Sequence, residues 1–289
     1  MFRLILKPLL ILCLLMLISL PVIAKQPAER QPPTIPQMIA ADYVGSDLKI
    51  KETLAITPAY KRYLISYKSG KLNISGIMNV PVGKGPFPVL VLCHGYINPK
   101  IYTVGRGLKR EQDYLARQGF VVLHTDYRNH GLSDKDPGSE QHMQLGYVED
   151  VVSAVLAVKN SKFDFIDKER VGLMGHSLGG GICEDIMVAK PNLVKAIVLY
   201  SPVSADYIDN FNRWIVKDRP DIAADFMKAH GTPQANPQFW KELSAINYLD
   251  RISVPIMINH GTNDQDCPLA WSQRLAAALQ AAGKSVEFN

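Results

Sequence analysis

The chain has 289 residues, 47% hydrophobic and 20% charged, the balance of an ordinary globular protein rather than a disordered or fibrous one. Its formal charge of +5 is scattered, with no basic stripe and no aromatic–basic ladder, which excludes a nucleic-acid-binding surface. No His, Cys and carboxylate cluster has metal-ligand spacing, so neither a metal nor another cofactor is expected.

Arg3 and Lys7 precede an apolar run from Leu9 to Leu20, and Val22-Ile23-Ala24 follows. This is the pattern of a secretory signal peptide over residues 1–24, too short for a membrane span of about 20 apolar residues. Cleavage after Ala24 is expected to give a secreted or periplasmic protein of charge about +3, without stable membrane insertion. Left uncleaved, the same segment is a membrane anchor. Of the four cysteines, Cys93, Cys183 and Cys267 remain, an odd number at wide spacing that implies no disulfide framework.

Residues 25–43 read as a flexible lead-in, rich in Pro, Gln and Ala up to Pro36. Val44 to Thr57 is ambiguous. Tyr63–Tyr67 and Leu72–Val80 read as strands joined by a Lys68–Lys71 turn. Val89–Cys93 is a continuous apolar run, as a strand buried on both faces requires, and ends in His94-Gly95-Tyr96. Arg106–Gln118 has helical spacing. Phe120–His124 is the next buried strand, ending in Asp126-Tyr127-Arg128-Asn129-His130-Gly131. Met143–Lys159 is a helix, with Tyr147, Val151, Val155 and Val158 on one face.

Val171–Met174 then runs into Gly175-His176-Ser177-Leu178-Gly179, and a helix-like segment from Ile182 to Ala189 follows. Strand, glycine turn and helix form the context that makes G-x-S-x-G a nucleophile elbow. Val194–Leu199 is another strand. Residues 204–250 break the alternation, with Phe211, Trp214, Phe226, Phe239, Trp240 and Tyr248 among charges and prolines, and read as a small helical insertion. It can supply an apolar acyl pocket or simply pack on itself. Val254–Asn259 returns as a strand, followed by His260-Gly261-Thr262-Asn263-Asp264. Leu269–Ala282 is a helix, and Ser285–Asn289 starts a further strand. Short buried strands alternating with helices predict an α/β fold: a mostly parallel, doubly wound sheet whose active groups gather at the strands' carboxyl ends.

The motifs His94-Gly95-Tyr96, Asp126 to Ser133, Gly175 to Gly180 and Val254-Pro255 through Asp264 resemble the α/β-hydrolase fold. The nearest likeness is to the prolyl oligopeptidase-like and esterase-like serine hydrolases. The resemblance spans Val89 to Asn289 and implies a hydrolase domain over residues 44–289. It implies Ser177 as nucleophile, and the backbone N–H groups of Tyr96 and Leu178 as an oxyanion hole. Asp264 stands at the acid position, with Asp206 and Asp266 as alternatives. Cys267 replaces the family's usual valine before the loop proline. Asp126 and Arg128 match a loop whose expected role is structural, tying neighbouring loops by a charge-assisted bond.

In this fold the triad histidine follows the acid. The histidines are His94, His124, His130, His142, His176, His230 and His260, and none follows Asp264. The resemblance places that histidine beyond the last strand, so the C-terminal end is expected to be incomplete. The competing accounts are a shortened homologue that has lost catalysis, or service by His176, His230 or His260. The expected activity is cleavage of an ester or amide through an acyl-enzyme, on a small-molecule ester or a short peptide. A carboxylesterase is favoured over a serine peptidase, because about 65 mature residues before Val89 are too few for a β-propeller. A non-catalytic binding protein of the same fold is the expectation of another class.

Overall fold

The computed structural model describes residues 33–139 and 146–289. The expected signal peptide lies outside the described residues, as do His142 and the start of the Met143–Lys159 helix. No described helix is long and apolar enough to cross a membrane.

Among the described residues, nine strands make one sheet, in the order β1-β2-β3-β5-β4-β6-β7-β8-β9. β1 (Gly45–Ile56), β2 (Tyr60–Ser69) and β3 (Leu72–Pro81) form an antiparallel meander, and β3 pairs antiparallel with β5 (Val121–Thr125). From β5 onward the sheet is parallel, through β4 (Phe87–Cys93), β6 (Ile166–His176), β7 (Ile197–Tyr200), β8 (Ile256–Asn259) and β9 (Val286–Phe288). The chain leaves β4 for β5 on one side and returns to β6 on the other. The crevice beyond the carboxyl ends of β4 and β6 is therefore the switch point where α/β sheets bind ligands. Cys93 pairs with Gly175 across it.

The central strands are apolar because both their faces are covered. Val89, Val91, Leu92, Cys93, Val171 and Leu173 are all buried, each worth about 1.5–3 kcal/mol of transfer free energy for a large aliphatic side chain. α3 (Tyr147–Lys159) and α4 (Leu178–Ala189) supply much of the covering, with Val151, Val155, Ile182 and Ile186 in the same core. α2 (Lys109–Arg117) and α8 (Leu269–Ala281) complete the helices between strands.

Two segments differ from the sequence expectation. Val44 to Thr57, ambiguous as sequence, is mostly β1. It is an edge strand, largely exposed from Glu52 to Ile56 and interrupted by register shifts, so no clean alternation marks it. The lead-in is not wholly irregular, because α1 (Ile35–Ala40) forms there and buries Ile35 and Met38 in the core. Thr34 donates its backbone N–H to Gln37 Oε1 at 2.9 Å, half of a capping box. Residues 204–250 hold α5 (Tyr207–Asn210), a π-helical turn Phe211–Val216, α6 (Pro220–His230), α7 (Pro237–Glu242) and most of a 3₁₀ segment Ala245–Arg251.

Candidate active site

β6 ends at His176, and the backbone reverses at Ser177 with φ 53° and ψ −120° before α4 begins at Leu178. A non-glycine residue there is strained, and such strain persists only where the surroundings over-determine it. Here they do. Ser177 donates its N–H to Tyr200 O at 3.0 Å, and its carbonyl accepts from Gly180 and Val203 at 2.9 and 3.2 Å. Gly179 is required by close approach, since a Cβ there would stand 2.0 Å from the carbonyl oxygen of Cys93. Helix α4 is thus pressed against the end of β4, which brings Ser177 beside the loop His94-Gly95-Tyr96. A Cβ on Gly95 would lie 3.1 Å from the Cβ of Ser177.

Leu178, as the first residue of α4, has no intrahelical acceptor for its N–H. It lines the same cavity as Tyr96, Gly95, His176 and Ser177, a cleft of about 580 Å³. The opposite wall comes from the insertion: Tyr207, Phe211, Trp214 and Ile215 face the cavity. Trp240, Phe226 and Phe239 instead pack among themselves and on Phe211, with Phe211–Trp240 ring centroids 4.7 Å apart. The aromatic insertion has two parts. It builds its own small core and presents one edge to the cleft.

The loop of His94 is held from below. His94 is buried and stacks on Tyr127 at 4.3 Å, while Tyr127 donates its hydroxyl to the His94 carbonyl at 3.1 Å. Burial lowers the His94 imidazole to about 4, so it is neutral at physiological pH. Asp126 and Arg128 do not pair with each other. Asp126 accepts from Ser75 Oγ, Tyr102 OH and Gly105 N, and so fixes the 102–105 loop. Arg128 turns the other way and bonds Asp150, Glu149 and Asp136 at 2.7–3.0 Å. Its three acidic partners carry no sequence pattern that announces them.

Asp264 is partly exposed in the loop after β8. Burial would raise its carboxyl, but the N–H groups of Cys267 and Asp266, the Ser201 hydroxyl and His260 together hold it below the usual range. It is an anion at neutral pH, as an orienting acid must be. His260 lies 3.7 Å from it but is committed elsewhere, with Nδ1 on Ser272 Oγ at 2.7 Å and Nε2 on the Cys267 carbonyl at 2.8 Å. Asp206 is the N-cap of α5, accepting from Ile208 N, and Asp266 lies on the cavity rim.

Among the described residues, the side chain within hydrogen-bond reach of Ser177 Oγ is Cys267, at 3.8 Å. Burial pushes its thiol up to about 11, which keeps it neutral. Nothing in the sequence marked this contact beyond the oddity of a cysteine there. His176 lines the cavity, with burial lowering its imidazole. His230 packs between Phe226 and Phe239 inside the insertion. No described histidine hydrogen-bonds Ser177 Oγ, and no metal-holding group of His, Cys, Asp and Glu occurs among the described residues.

Sequence comparison decides the family. The prolyl oligopeptidase family model matches residues 107–289, well over half of the chain. The chain belongs to that family. It is 27% identical over 219 residues to the uncharacterized peptidase YuxL of Bacillus subtilis (strain 168), which covers 71% of this chain but only 30% of that protein. It therefore spans less than a third of that relative's length. A second relative, the uncharacterized peptidase YtmA of the same strain, is 25% identical over 228 residues, 78% of this chain and 82% of its own. Acetyl xylan esterase 1 from Thermoanaerobacterium sp. JW/SL YS485 superposes with a TM-score of 0.64 at 18% identity, covering 90% of this chain and 87% of that one. That likeness is one of fold, and the fold is the α/β-hydrolase fold the motifs implied.

Proposed function

We propose that the chain is a serine hydrolase that cleaves an ester or amide bond through an acyl-enzyme on Ser177. The observation that carries this is the strained Ser177, held at φ 53° on the wall of a cleft that Tyr96 and Leu178 share. In the proposed reaction the Ser177 hydroxyl attacks the scissile carbonyl. The N–H groups of Tyr96 and Leu178 receive the oxyanion, each donor contributing about 3 kcal/mol of transition-state stabilisation. Asp264 orients the imidazole that accepts the serine proton and stabilises it as imidazolium. That imidazole is required by the chemistry, because a serine hydroxyl without a base is a weak nucleophile. A carboxylesterase acting on small esters is favoured over a serine peptidase. The support is a cleft walled on one side by Phe211, Trp214 and Ile215, sized for a small acyl chain. The charged and apolar pattern of residues 1–24 supports export to a secreted or periplasmic location.

The test is covalent labelling by a fluorophosphonate, with and without added imidazole to stand in for the base. Labelling that appears or accelerates with imidazole, and is lost in Ser177→Ala, is the expected result. Absence of labelling under both conditions refutes the enzyme reading. One observation favours a second reading, a non-catalytic binding protein: the partner of Ser177 Oγ is the neutral Cys267 thiol. A protein of that kind binds small ligands in the cleft but never labels.

A further inference from the structure

The cleft does not end at the nucleophile. Leu178, Gly181, Ile182 and Asp185 all line it, at spacings of three, four and seven residues along α4. They form one stripe of the helix. Glu184 flanks that stripe and also lines the cleft. Glu184 is 1% exposed, and neither of its carboxyl oxygens has a hydrogen-bond partner among the described residues. Buried polar groups in native proteins are almost always satisfied, so an orphaned carboxyl on a cavity wall calls for a ligand.

Acidic side chains outnumber basic ones around it, although Arg274 also acts on Glu184 from outside the cleft lining. Glu184, Asp185, Asp218 and Asp266 line the cleft, against a single Lys or Arg, Arg219. Arg219 does not neutralise Glu184, whose oxygens are unpaired. We infer that the end of the cleft at Glu184 and Asp185 is a subsite for a protonated amine carried on the acyl part of the substrate. The inference rests on the hydrolase function proposed above and specifies its substrate class. Glu184 and Asp185 follow Ser177 by seven and eight residues, so they lie roughly 10–12 Å along the helix from the reacting serine. The acyl chain must span that distance from its carbonyl to its ammonium.

The effect of burial on the two carboxyls fits this. Burial pushes the Glu184 carboxyl well above the ordinary range, and the Asp185 carboxyl up to about 8. Burial thus disfavours the charge on both carboxyls until a cation arrives. An arriving ammonium restores the charged form of each and gains charge-assisted hydrogen bonds, the stronger kind.

The test is equilibrium binding to the Ser177→Ala protein, which separates recognition from reaction. Three eight-carbon amides serve as probes: octanamide, the same amide ending in an ammonium, and the same amide ending in a carboxylate. The ammonium probe is expected to bind about tenfold or more tighter than octanamide. The carboxylate probe should bind worst. Glu184→Gln and Asp185→Asn, separately and together, are isosteric and should remove the preference while octanamide binding persists. Equal binding of the three probes, tightest binding of the carboxylate probe, or no binding by any of them overturns the inference. Fluorophosphonate labelling of the unmodified serine is scored apart. Labelling with no ammonium preference leaves the hydrolase standing and the subsite refuted. Ammonium preference without labelling does the reverse.

Discussion

Replacing Asp150 by alanine should be among the most damaging single changes outside the cleft. Asp150 is fully buried, and its carboxylate accepts four hydrogen bonds: Arg128 N at 2.8 Å, Nε at 3.0 Å, Nη2 at 2.7 Å and Ser69 Oγ at 2.8 Å. Removing one partner of a buried ion pair strands the other charge and costs about 3–5 kcal/mol. Arg128 keeps Glu149 at 2.8 Å and Asp136 at 2.9 Å, both partly exposed, which sets the expectation near the lower end. In a domain of this size about 3 kcal/mol lowers Tm by roughly 6–12 °C. Thermal and urea unfolding measure it. The double variant Arg128→Met/Asp150→Leu leaves no stranded guanidinium and should cost less than Asp150→Ala alone. A loss below about 1 kcal/mol for Asp150→Ala, or a double variant that costs the sum of the singles, refutes the stranded-charge reasoning. The effect should reach the site. Arg128 lies between Tyr127 and Asn129, both at positive φ, and Tyr127 carries the hydrogen bond to the His94 carbonyl.

Three further outcomes are expected. Gly179→Ala should unfold at lower temperature or fail to accumulate as soluble protein, because its Cβ meets backbone 2.0 Å away; Gly261→Ala, with open space around it, should be silent in the same melts. Asp185→Asn should change the pH dependence of stability. A carboxyl raised in the folded state contributes stability that is complete below its unfolded pKa near 4 and is lost as pH climbs towards the folded value of about 8. The variant should therefore match the parent relative to that baseline near pH 4 and gain on it steadily up to pH 8, as read from paired melts; a flat difference across that window refutes the assignment. Arg213→Ala should loosen the acid loop, since Arg213 donates to the Asp266 carbonyl at 2.6 Å and the Gln265 carbonyl at 2.5 Å while packing over Trp214 and Trp271. A stability loss of about 1–2 kcal/mol is expected, with faster amide exchange confined to residues 263–267.

The strands from β4 to β8 were legible because each carries a short apolar run that the sheet buries, and the motifs stand directly at their ends. β1 was not, because an exposed, bulged edge strand has neither an apolar run nor a strict alternation. α1 had a local signal in Thr34, Pro36 and Gln37, outweighed by the prolines around it. In the site, the motifs grouped Ser177, Tyr96 and Leu178, and one short turn and one loop bring the three to the same cleft. The true partners of Arg128 were not, since Glu149 and Asp150 lie some twenty residues away on α3 and only folding brings them in. Glu184 and Asp185 carry no sequence pattern that sets them apart from other acidic residues on a helix. They line a cleft shared with the insertion, whose long-range approach no local pattern encodes.

That approach follows from the same short stretch that makes the elbow. Val203, just past β7, donates its N–H to Ser177 O and packs so closely over α4 that a Cβ on Gly181 would stand 2.4 Å from its side chain. The chain entering the insertion is therefore laid directly on the first turn of α4. From there Tyr207, Phe211 and Ile215 line the same cleft as Glu184 and Asp185. A bulkier first turn would hold the insertion off, expose the two carboxyls and lower their proton affinity to the ordinary range. The small residues after Ser177 thus serve two ends of one helix. They press the turn at Ser177 against the loop of Tyr96, and they let the insertion lie close over α4 towards Glu184 and Asp185.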